Sequence, residues 1–324
     1  MKDPQYYIQG VLDKDMRVLS KAITLIESSR SDHKVLSRQV IDSLIPHAGK
    51  AVRLGITGVP GAGKSTFIES LGMFLIEQGL KVAVLAVDPS SSRSHGSIMA
   101  DKTRMERLSI EPNAFIRPSP SGGTLGGVAS KTRESMIACE AAGFDVLIVE
   151  TVGVGQSETT VASMVDFFLV LMISGAGDEI QGIKKGVLEL ADGVAVNKAD
   201  GDNIEKAKQT RKEYESALHL RMPETRTWSA PVLICSALKM TGIDKIWETV
   251  LDHRKKITDS GELEEKRKKQ SVAWMKELFE DGVKEWFYNK HDAKKRLKKL
   301  RREVENGSIS PTSAAGELLK VLED

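Results

Sequence analysis

The stretch that decides the fold is RLGIT at residues 53–57, followed by GVPGAGKST at residues 58–66. A short apolar strand runs into a glycine-rich loop of the form G-x-x-x-x-G-K-S, and a helical pattern begins directly after it. Gly61 and Gly63 allow the backbone to curl so that successive N–H groups converge on phosphate oxygens. The start of the following helix adds the positive end of its dipole. The stretch therefore predicts a nucleoside triphosphate site; the alternative is a glycine-rich turn that matches the pattern by chance.

The polar groups of this loop suit phosphate and Mg²⁺. Lys64 is expected to contact the β and γ phosphates, and the Ser65 hydroxyl is expected to bind Mg²⁺. The loop residues predicted to bind the nucleotide are Gly58, Pro60, Gly61, Ala62, Gly63, Lys64, Ser65 and Thr66.

Further along the chain, short apolar runs alternate with helical patterns. The runs predicted as strands are 52–57, 82–87, 146–149, 167–173, 193–197 and 232–235. Near-continuous apolar strands separated by helices are typical of a largely parallel sheet that is covered on both faces. We therefore predict an α/β fold with a mostly parallel central sheet flanked by helices at 51–258. Helical extensions are predicted at 1–50 and at 259–324, the second for dimerisation.

Composition excludes several classes of protein. Of 324 residues, 40% are hydrophobic and 28% are charged, so the chain can bury a sizeable core. Lys and Arg number 47 against 45 Asp and Glu, which argues against a surface devoted to nucleic acid or membrane. The two cysteines exclude a disulfide framework and a closed Cys-based zinc site. Because no signal-like start and no apolar run of membrane-spanning length is visible, we expect a cytoplasmic protein.

Two segments that follow later strands favour guanine as the base. In Asn197-Lys198-Ala-Asp200, the aspartate is suited to accept from the N1–H and the exocyclic amine of guanine. The asparagine is expected to bond elsewhere on the ring edge, and the lysine is expected to pack over the plane of the ring. Adenine lacks that paired donor edge, so the aspartate would be left unpaired. The segment Ser236-Ala237-Leu238 follows the next strand, where a backbone donor for guanine O6 is expected. Asn197-Lys198 alone is equally compatible with a solvated turn, but with the phosphate loop upstream the segments favour GTP over ATP.

Acidic residues at strand ends suit Mg²⁺ and a nucleotide-sensing turn. Glu150 ends an apolar strand three residues before Gly153, whose N–H is expected to approach the γ-phosphate. In many small GTPases a water-orienting Gln directly follows that glycine. Here Gln156 comes later, so we expect slow hydrolysis that needs a partner. Asp88 is placed to reach Mg²⁺ through water; the alternative is that it caps the turn that follows. Asp101 by itself is typical of a helix N-cap.

Together these motifs resemble those of the bacterial MeaB and ArgK group and its human mitochondrial methylmalonic aciduria type A counterpart. These are GTPases that chaperone adenosylcobalamin-dependent methylmalonyl-CoA mutase. The resemblance covers about residues 5–260. The motifs that carry it are GVPGAGKST at 58–66, DPSSSRS at 88–94, DKTRM at 101–105, LGGVASKTRE at 125–134, CEAAGFDVLIVETVGVGQSE at 139–158, GDEIQGIKKGVLELAD at 177–192 and NKADGDN at 197–203. His95 and Ala100 depart from the family pattern, in which glycines are usual at these positions.

The resemblance implies a homodimeric P-loop GTPase with GTP or GDP and Mg²⁺ as its ligands. The residues implied to contact Mg²⁺ are Ser65, Asp88, Asp101 and Glu150. The residues implied to act in catalysis are Lys64, Glu150 and Lys184. It also implies that 177–188 is a switch loop facing the mutase, in which Asp178 and Lys184 act when the complex assembles. By itself, Lys184-Lys185 is typical of a solvated helix start.

We therefore expect a Mg²⁺-dependent GTPase that chaperones a mutase of the methylmalonyl-CoA mutase type and couples GTP hydrolysis to cofactor loading and protection. One alternative is a transport-associated kinase for arginine or ornithine uptake. A second is a metal-delivery GTPase, which the sequence disfavours because the Cys or His clusters of that group are missing. No nucleic acid and no membrane insertion is expected.

The C-terminal helical pattern leaves two points open. Over 262–300 large apolar residues such as Trp274, Phe279 and Trp286 fall at helical spacing. They either pack back onto the GTPase domain or form a dimer interface, and the resemblance favours the dimer. For the basic run at 294–302, a solvated helix face is favoured over an acidic partner surface or nucleic acid.

Overall fold

A computed structural model describes residues 2–87, 105–118, 125–151, 157–175, 185–219 and 227–320. These residues contain one sheet of seven parallel strands in the order β3-β2-β4-β1-β5-β6-β7. The strands are β1 Val52–Gly58, β2 Val82–Val87, β3 Ala114–Arg117, β4 Val146–Thr151, β5 Phe167–Ile173, β6 Gly193–Asn197 and β7 Val232–Ile234. The predicted α/β class and the parallel central sheet are confirmed.

The central position of β1 determines where a ligand can bind. β1 pairs with β4 on one side and with β5 on the other, so that Ile56 lies opposite Glu150 and also opposite Leu169. The chain continues from β1 towards one edge of the sheet and later returns to fill the other edge. In parallel sheets, the crevice at such a switch point, outside the carboxyl ends of the strands, is where ligands bind. The loop after β1 opens into that crevice.

Helices cover the sheet and extend from both ends of the chain. In order they are α1 Pro4–Leu12, α2 Met16–Glu27, α3 Ser31–Leu44, α4 Lys64–Glu77, α5 Glu106–Ser109, α6 Leu125–Ala141, α7 Ser157–Ala162, α8 Lys185–Glu189, α9 Ile204–His219, α10 Ile243–Asp259, α11 Glu262–Asn289, α12 His291–Glu305 and α13 Pro311–Leu319. The predicted N-terminal helices are thus α1 to α3, which pack on one another and on α6. The buried apolar faces of these helices join the same core as the sheet, through residues such as Leu19, Ile23 and Val40.

A buried ion network at the amino end of the strands joins β1, β5 and the first turns of α11. Asp166 accepts hydrogen bonds from Arg267 at 2.7 and 2.8 Å and from the backbone N–H of Arg53 at 3.0 Å. Burial acts to raise the pKa of Asp166, but the hydrogen bonds and charge of Arg267 hold it below its usual value. Arg53 also pairs with the buried carboxylate of Glu140 in α6 at 2.8 Å. Removing one partner of a buried pair costs about 3–5 kcal/mol. The Arg267–Asp166 pair therefore holds the start of α11 against the sheet, and the Arg53–Glu140 pair holds α6 against β1.

By packing, the chain divides into two compact units, Met1–Gln270 and Ser271–Asp324. The first unit contains the sheet and the helices that cover it. The second contains most of α11, together with α12 and α13, which pack on each other. The division into 1–50, 51–258 and 259–324 as functional parts stays a prediction.

Two elements differ from the pattern in the sequence. β3 has no counterpart among the predicted strands because it is a four-residue edge strand whose residues are only partly buried. The amphipathic pattern over 262–300 is divided at Lys290, whose extended backbone (ψ 129°) separates α11 from α12. Within the described ranges, no helix is both long enough and apolar enough to cross a membrane.

Candidate functional site

The loop between β1 and α4 lies at the carboxyl end of the central strand, and two of its glycines are required by its geometry. Gly63, directly before α4, has a φ of +82°, and a Cβ there would lie 3.1 Å from Nδ2 of Asn197. A Cβ at Gly58 would lie 2.3 Å from the carbonyl oxygen of Leu171 on the neighbouring strand. Any other residue would be strained at the first position and would collide with backbone at the second.

Lys64 begins α4 with its side chain turned back over the loop. Its Nζ donates a hydrogen bond to the carbonyl oxygen of Gly58 at 3.0 Å. Ser65 and Thr66 follow in the first turn of the helix, whose backbone N–H groups have no partners within a helix and favour anions. The other predicted loop residues, Pro60, Gly61 and Ala62, lie in the loop before the helix. The loop thus presents a cation and a helix N-terminus in one place, which suits a phosphate chain.

Asn197, at the end of β6, links this loop to the loop that follows β7. Its side chain is 1% exposed, its Nδ2 donates to the carbonyl oxygen of Ala62 at 2.8 Å, and its Oδ1 accepts from the N–H of Ala237 at 3.0 Å. The Cys235 thiol also lies 3.6 Å from that Oδ1. Burial raises the pKa of Cys235 to about 12, so the thiol keeps its proton and is able to donate it. Asn197 therefore fixes the two loops relative to each other.

Lys198 and Asp200 lie on the loop that leaves β6. The hydroxyl of Ser236 donates to Oδ2 of Asp200, which fixes the orientation of a carboxylate that is only partly buried. Lys198 has a φ of +60°, and its carbonyl oxygen accepts from Nδ2 of Asn203 at 2.7 Å. Its Cε lies 3.8 Å from where a Cβ of Gly63 would be, so the exposed lysine reaches over the phosphate loop.

The structure therefore brings together, at one end of the sheet, three segments that the sequence predicts to bind nucleotide. These are the loop after β1, the segment 197–200 after β6, and the segment 236–238 after β7. In the last of them Ser236 and Ala237 are buried, whereas the Leu238 side chain is 74% exposed. A cationic loop beside a fixed carboxylate suits a ligand that has phosphates at one end and paired N–H donors at the other.

Glu150 lies near the end of β4, next to the strand that enters the phosphate loop. Glu150 is 7% exposed, and it is in register with Ile56 of β1 and Ala86 of β2. The following residue, Thr151, donates its hydroxyl to the hydroxyl of Thr57 at 2.8 Å, and both threonines are buried. This pair, which the sequence did not indicate, joins the strand before the phosphate loop to the strand before the predicted γ-phosphate turn.

The described part of the predicted Mg²⁺ site has suitable chemistry but is incomplete. Mg²⁺ prefers oxygen ligands, and the hydroxyl of Ser65 and the carboxylate of Glu150 are such groups on adjoining elements. Asp88, Asp101, Gly153 and Lys184 lie outside the described residues, as do His95, Ala100, Gln156 and Asp178. In the parts of the chain that are described, no group of three or more His, Cys, Asp or Glu residues could hold a metal ion. The two donors fit Mg²⁺, and the predicted carboxylates that would complete the set stay predictions.

Comparison with known proteins gives consistent matches over nearly the whole chain. The family model described as "Methylmalonyl Co-A mutase-associated GTPase MeaB" matches residues 19–292. "GTPase ArgK" of Escherichia coli (strain K12) is 48% identical over 316 residues, which are 98% of this chain and 96% of that protein. "Methylmalonic aciduria type A homolog, mitochondrial" of Mus musculus is 43% identical over 321 residues, 96% of this chain and 77% of that protein. The crystal structure of an "LAO/AO transport system kinase" is similar with a TM-score of 0.79 and 41% identity, covering 100% of this chain and 99% of the other.

Proposed function

This chain belongs to the MeaB family of methylmalonyl-CoA mutase-associated GTPases, and on that basis we propose that it is the chaperone of an adenosylcobalamin-dependent acyl-CoA mutase. The protein is a P-loop GTPase. In this proposal the client is a mutase of the methylmalonyl-CoA mutase type. Binding and hydrolysis of GTP are coupled to loading of the mutase with its cofactor and to its protection from inactivation.

The observation that carries the guanine assignment is the fixed carboxylate of Asp200. Ser236 holds one oxygen of that carboxylate, and Asn197 holds the surrounding loops. A fixed acceptor pair matches the N1–H and exocyclic amine of guanine. Adenine lacks this donor pair, so the carboxylate would receive no hydrogen bond from the base, which is a large penalty in a partly buried site.

In hydrolysis, the residues of this chain bind, orient and neutralise the phosphates. The N–H groups of the loop after β1 orient the chain of phosphates, and Lys64 offsets the charge on the β and γ oxygens. We propose that Ser65, Asp88, Asp101 and Glu150 hold Mg²⁺, which when bound neutralises further phosphate charge. Lys64 donates to Gly58 in the described conformation, so it is already directed across the loop.

Control by the partner is proposed to act on the two segments that follow β4 and β5. Gly153 is proposed to sense the γ-phosphate through its N–H. Many small GTPases have a water-orienting Gln directly after this glycine; here Val154 occupies that position and Gln156 comes two residues later. We propose that the loop 177–188 faces the mutase and that its Lys184 completes the site, together with Asp178, when the complex forms. An arrangement that is complete only in the complex makes hydrolysis depend on the client.

We also propose that the protein is a homodimer. One face of α11 exposes large apolar side chains at helical spacing, in a helix that has no buried residue. These side chains are Val272, Met275, Phe279, Val283 and Trp286. Exposed apolar surface of this kind is typical of an interface, and a second copy of the same helix would cover it.

The cytoplasm is the proposed location. Cys139 and Cys235 are both buried free thiols, which agrees with a reducing compartment. Neither nucleic acid nor insertion into a membrane has a part in this proposal.

A second candidate function is a transport-associated kinase, because the 41% identical solved structure carries that name. The two functions differ in where the γ-phosphate goes. With γ-labelled GTP, a chaperone releases the label as free phosphate and does so faster when the mutase is added, whereas a kinase leaves label covalently on a partner protein. Lys64→Ala is the control, since it should abolish either reaction at this site. Label that stays on a protein and is lost in Lys64→Ala would contradict the chaperone proposal.

A further inference from the structure

One buried hydrogen bond connects the helix of the phosphate loop directly to the loop after β7. The hydroxyl of Ser70, two turns into α4, donates to the carbonyl oxygen of Ala237 at 2.8 Å. Ser70 is 6% exposed and Ala237 is 3% exposed, so water does not replace this bond easily. The two residues are 167 positions apart in the chain, which makes the contact a tertiary connection and not a local turn.

This bond determines which way the next peptide group points. The Ala237–Leu238 peptide is trans, so the N–H of Leu238 points opposite to the carbonyl of Ala237. Because that carbonyl is directed to Ser70 in α4, the N–H is directed away from α4. Within the described ranges, the N–H of Leu238 donates no hydrogen bond, whereas the N–H of Ala237 is already used by Asn197. Leu238 therefore supplies an available backbone donor at the predicted base-binding segment.

We propose that Ser70 is a positioning residue for guanine recognition, holding the Ala237–Leu238 peptide so that the N–H of Leu238 faces O6 of the bound base. The inference rests on the proposed guanine nucleotide site. It adds a residue from α4 to a set that otherwise comes from the loops after β6 and β7. Through Ser70, the helix that binds the phosphates also aligns the donor for the base.

Loss of the hydroxyl should loosen this peptide without harming the fold. In Ser70→Ala the carbonyl of Ala237 keeps only the hydrogen bond from the N–H of Met240, at 3.3 Å. Alanine is a better helix former than serine, so α4 itself is not weakened. The peptide is then able to rotate, and its N–H is no longer held towards the base. A single neutral hydrogen bond of this kind corresponds to roughly a three- to tenfold change in affinity.

The test measures nucleotide affinity with two ligands that differ only at position 6 of the base. GDP has an oxygen there and 6-thio-GDP has a sulfur, which is a weak acceptor. For Ser70→Ala we expect about three- to tenfold weaker GDP binding but nearly unchanged 6-thio-GDP binding. In steady-state hydrolysis, KM for GTP should rise while kcat stays within about twofold of wild type. Ser70→Cys, which keeps the shape with a weaker donor, should fall between wild type and Ser70→Ala, and it serves as the test if the alanine variant does not fold.

The control is Ser135→Ala. Ser135 is also a buried helical serine, but its hydroxyl has no hydrogen-bond partner in the described chain, so its removal should leave both affinities unchanged. Equal losses for GDP and 6-thio-GDP in Ser70→Ala would overturn the proposal, because a packing defect does not distinguish the two ligands. Wild-type GDP affinity in Ser70→Ala, or a lower kcat with unchanged KM, would also overturn it. If the wild-type protein itself bound no GDP and released no phosphate from GTP, the proposed function would fail as well, so the two failures are distinguishable.

Discussion

Asp200→Asn, which replaces one carboxylate oxygen by an amide nitrogen, is expected to reverse the base preference of the site. Ser236 donates to Oδ2 of Asp200, so an asparagine there keeps this hydrogen bond through its oxygen and turns its NH₂ group outwards. That NH₂ group then faces the exocyclic amine of guanine, donor against donor. Xanthine has a carbonyl oxygen at the same position and accepts from it.

The size of the effect follows from the hydrogen bonds that change. The carboxylate is expected to accept two bonds from guanine, each worth about 1.5–3 kcal/mol because the acceptor is charged. Asp200→Asn loses the charge on both bonds and breaks one of them. We therefore expect a loss of roughly 3–4 kcal/mol, which is a 10²- to 10³-fold lower affinity for GTP. Affinity for XTP should rise by a factor of similar order.

The assay is competition of GTP and XTP against a fluorescent guanine nucleotide for the wild type and a fluorescent xanthine nucleotide for the variant. Asp202→Asn is the matched control, because Asp202 is exposed two residues further along and should not contact the base. Phosphate release from both nucleotides checks that the bound ligand is in the productive site. If Asp200→Asn kept its preference for GTP within about threefold of wild type, the assignment of this carboxylate to the guanine edge would be wrong.

Three further outcomes are expected. Gly63→Ala should weaken GDP binding about five- to thirtyfold, because Ala is strained at φ +82° and its Cβ would press on the side-chain amide of Asn197. Fluorescence titration measures this affinity. The control Gly316→Ala, where a Cβ has open space, should bind like wild type. Phe279→Glu should convert a dimer into a 35.5 kDa monomer in light scattering, because it places a charge on the exposed apolar face of α11. Lys284→Glu, an exposed position on the other side of the same helix, should leave the dimer intact, and a wild-type monomer would contradict the dimer. Burial lowers the pKa of His253 to about 4 from 6.5. Between these pH values the unfolded protein therefore binds more protons at this residue than the folded protein does. The free energy of unfolding should fall as pH falls from 6.5 towards 4, by up to roughly 3 kcal/mol. Urea unfolding at pH 7 and pH 5 should show a smaller pH effect in His253→Phe, and an equal effect in both proteins would refute this origin.

The centre of the fold could be predicted because its signals are local. β2 is a run of six apolar residues, and all of them are buried, as expected for a strand covered on both faces. The loop at 58–66 carries its own geometric requirements, since Gly58 and Gly63 occupy positions that other residues cannot. Family membership followed from motifs that are contiguous in sequence, and it was confirmed by the matching family model and relatives.

Other features could not be predicted because they depend on residues far apart in the chain. Ser70 and the pair Thr57 and Thr151 are small hydroxyl residues whose local pattern is the same whether they face solvent or a partner. Their partners lie 167 and 94 positions away, respectively, and become neighbours only when the sheet forms. β3 has no signal in the sequence for a related reason, since an edge strand that is buried only in part has no continuous apolar run.

The structure describes the predicted nucleotide-binding segments but not most of the predicted metal and switch residues. Segments 58–66, 197–200 and 236–238 follow buried central strands and lie in the described residues, where their mutual hydrogen bonds can be seen. The predicted metal and switch residues Asp88, Asp101, Gly153 and Lys184 lie outside them, so their roles stay predictions.

The most direct test of the central claim is the rate of phosphate release from GTP as a methylmalonyl-CoA mutase is titrated against a fixed amount of this protein. We predict slow release by the protein alone and a saturable increase with the mutase that is absent from Lys64→Ala. The same titration with an unrelated acyl-CoA enzyme should give no increase. A rate that does not change at any mutase concentration, under conditions where the protein alone hydrolyses GTP, would contradict the proposal that this GTPase serves a mutase.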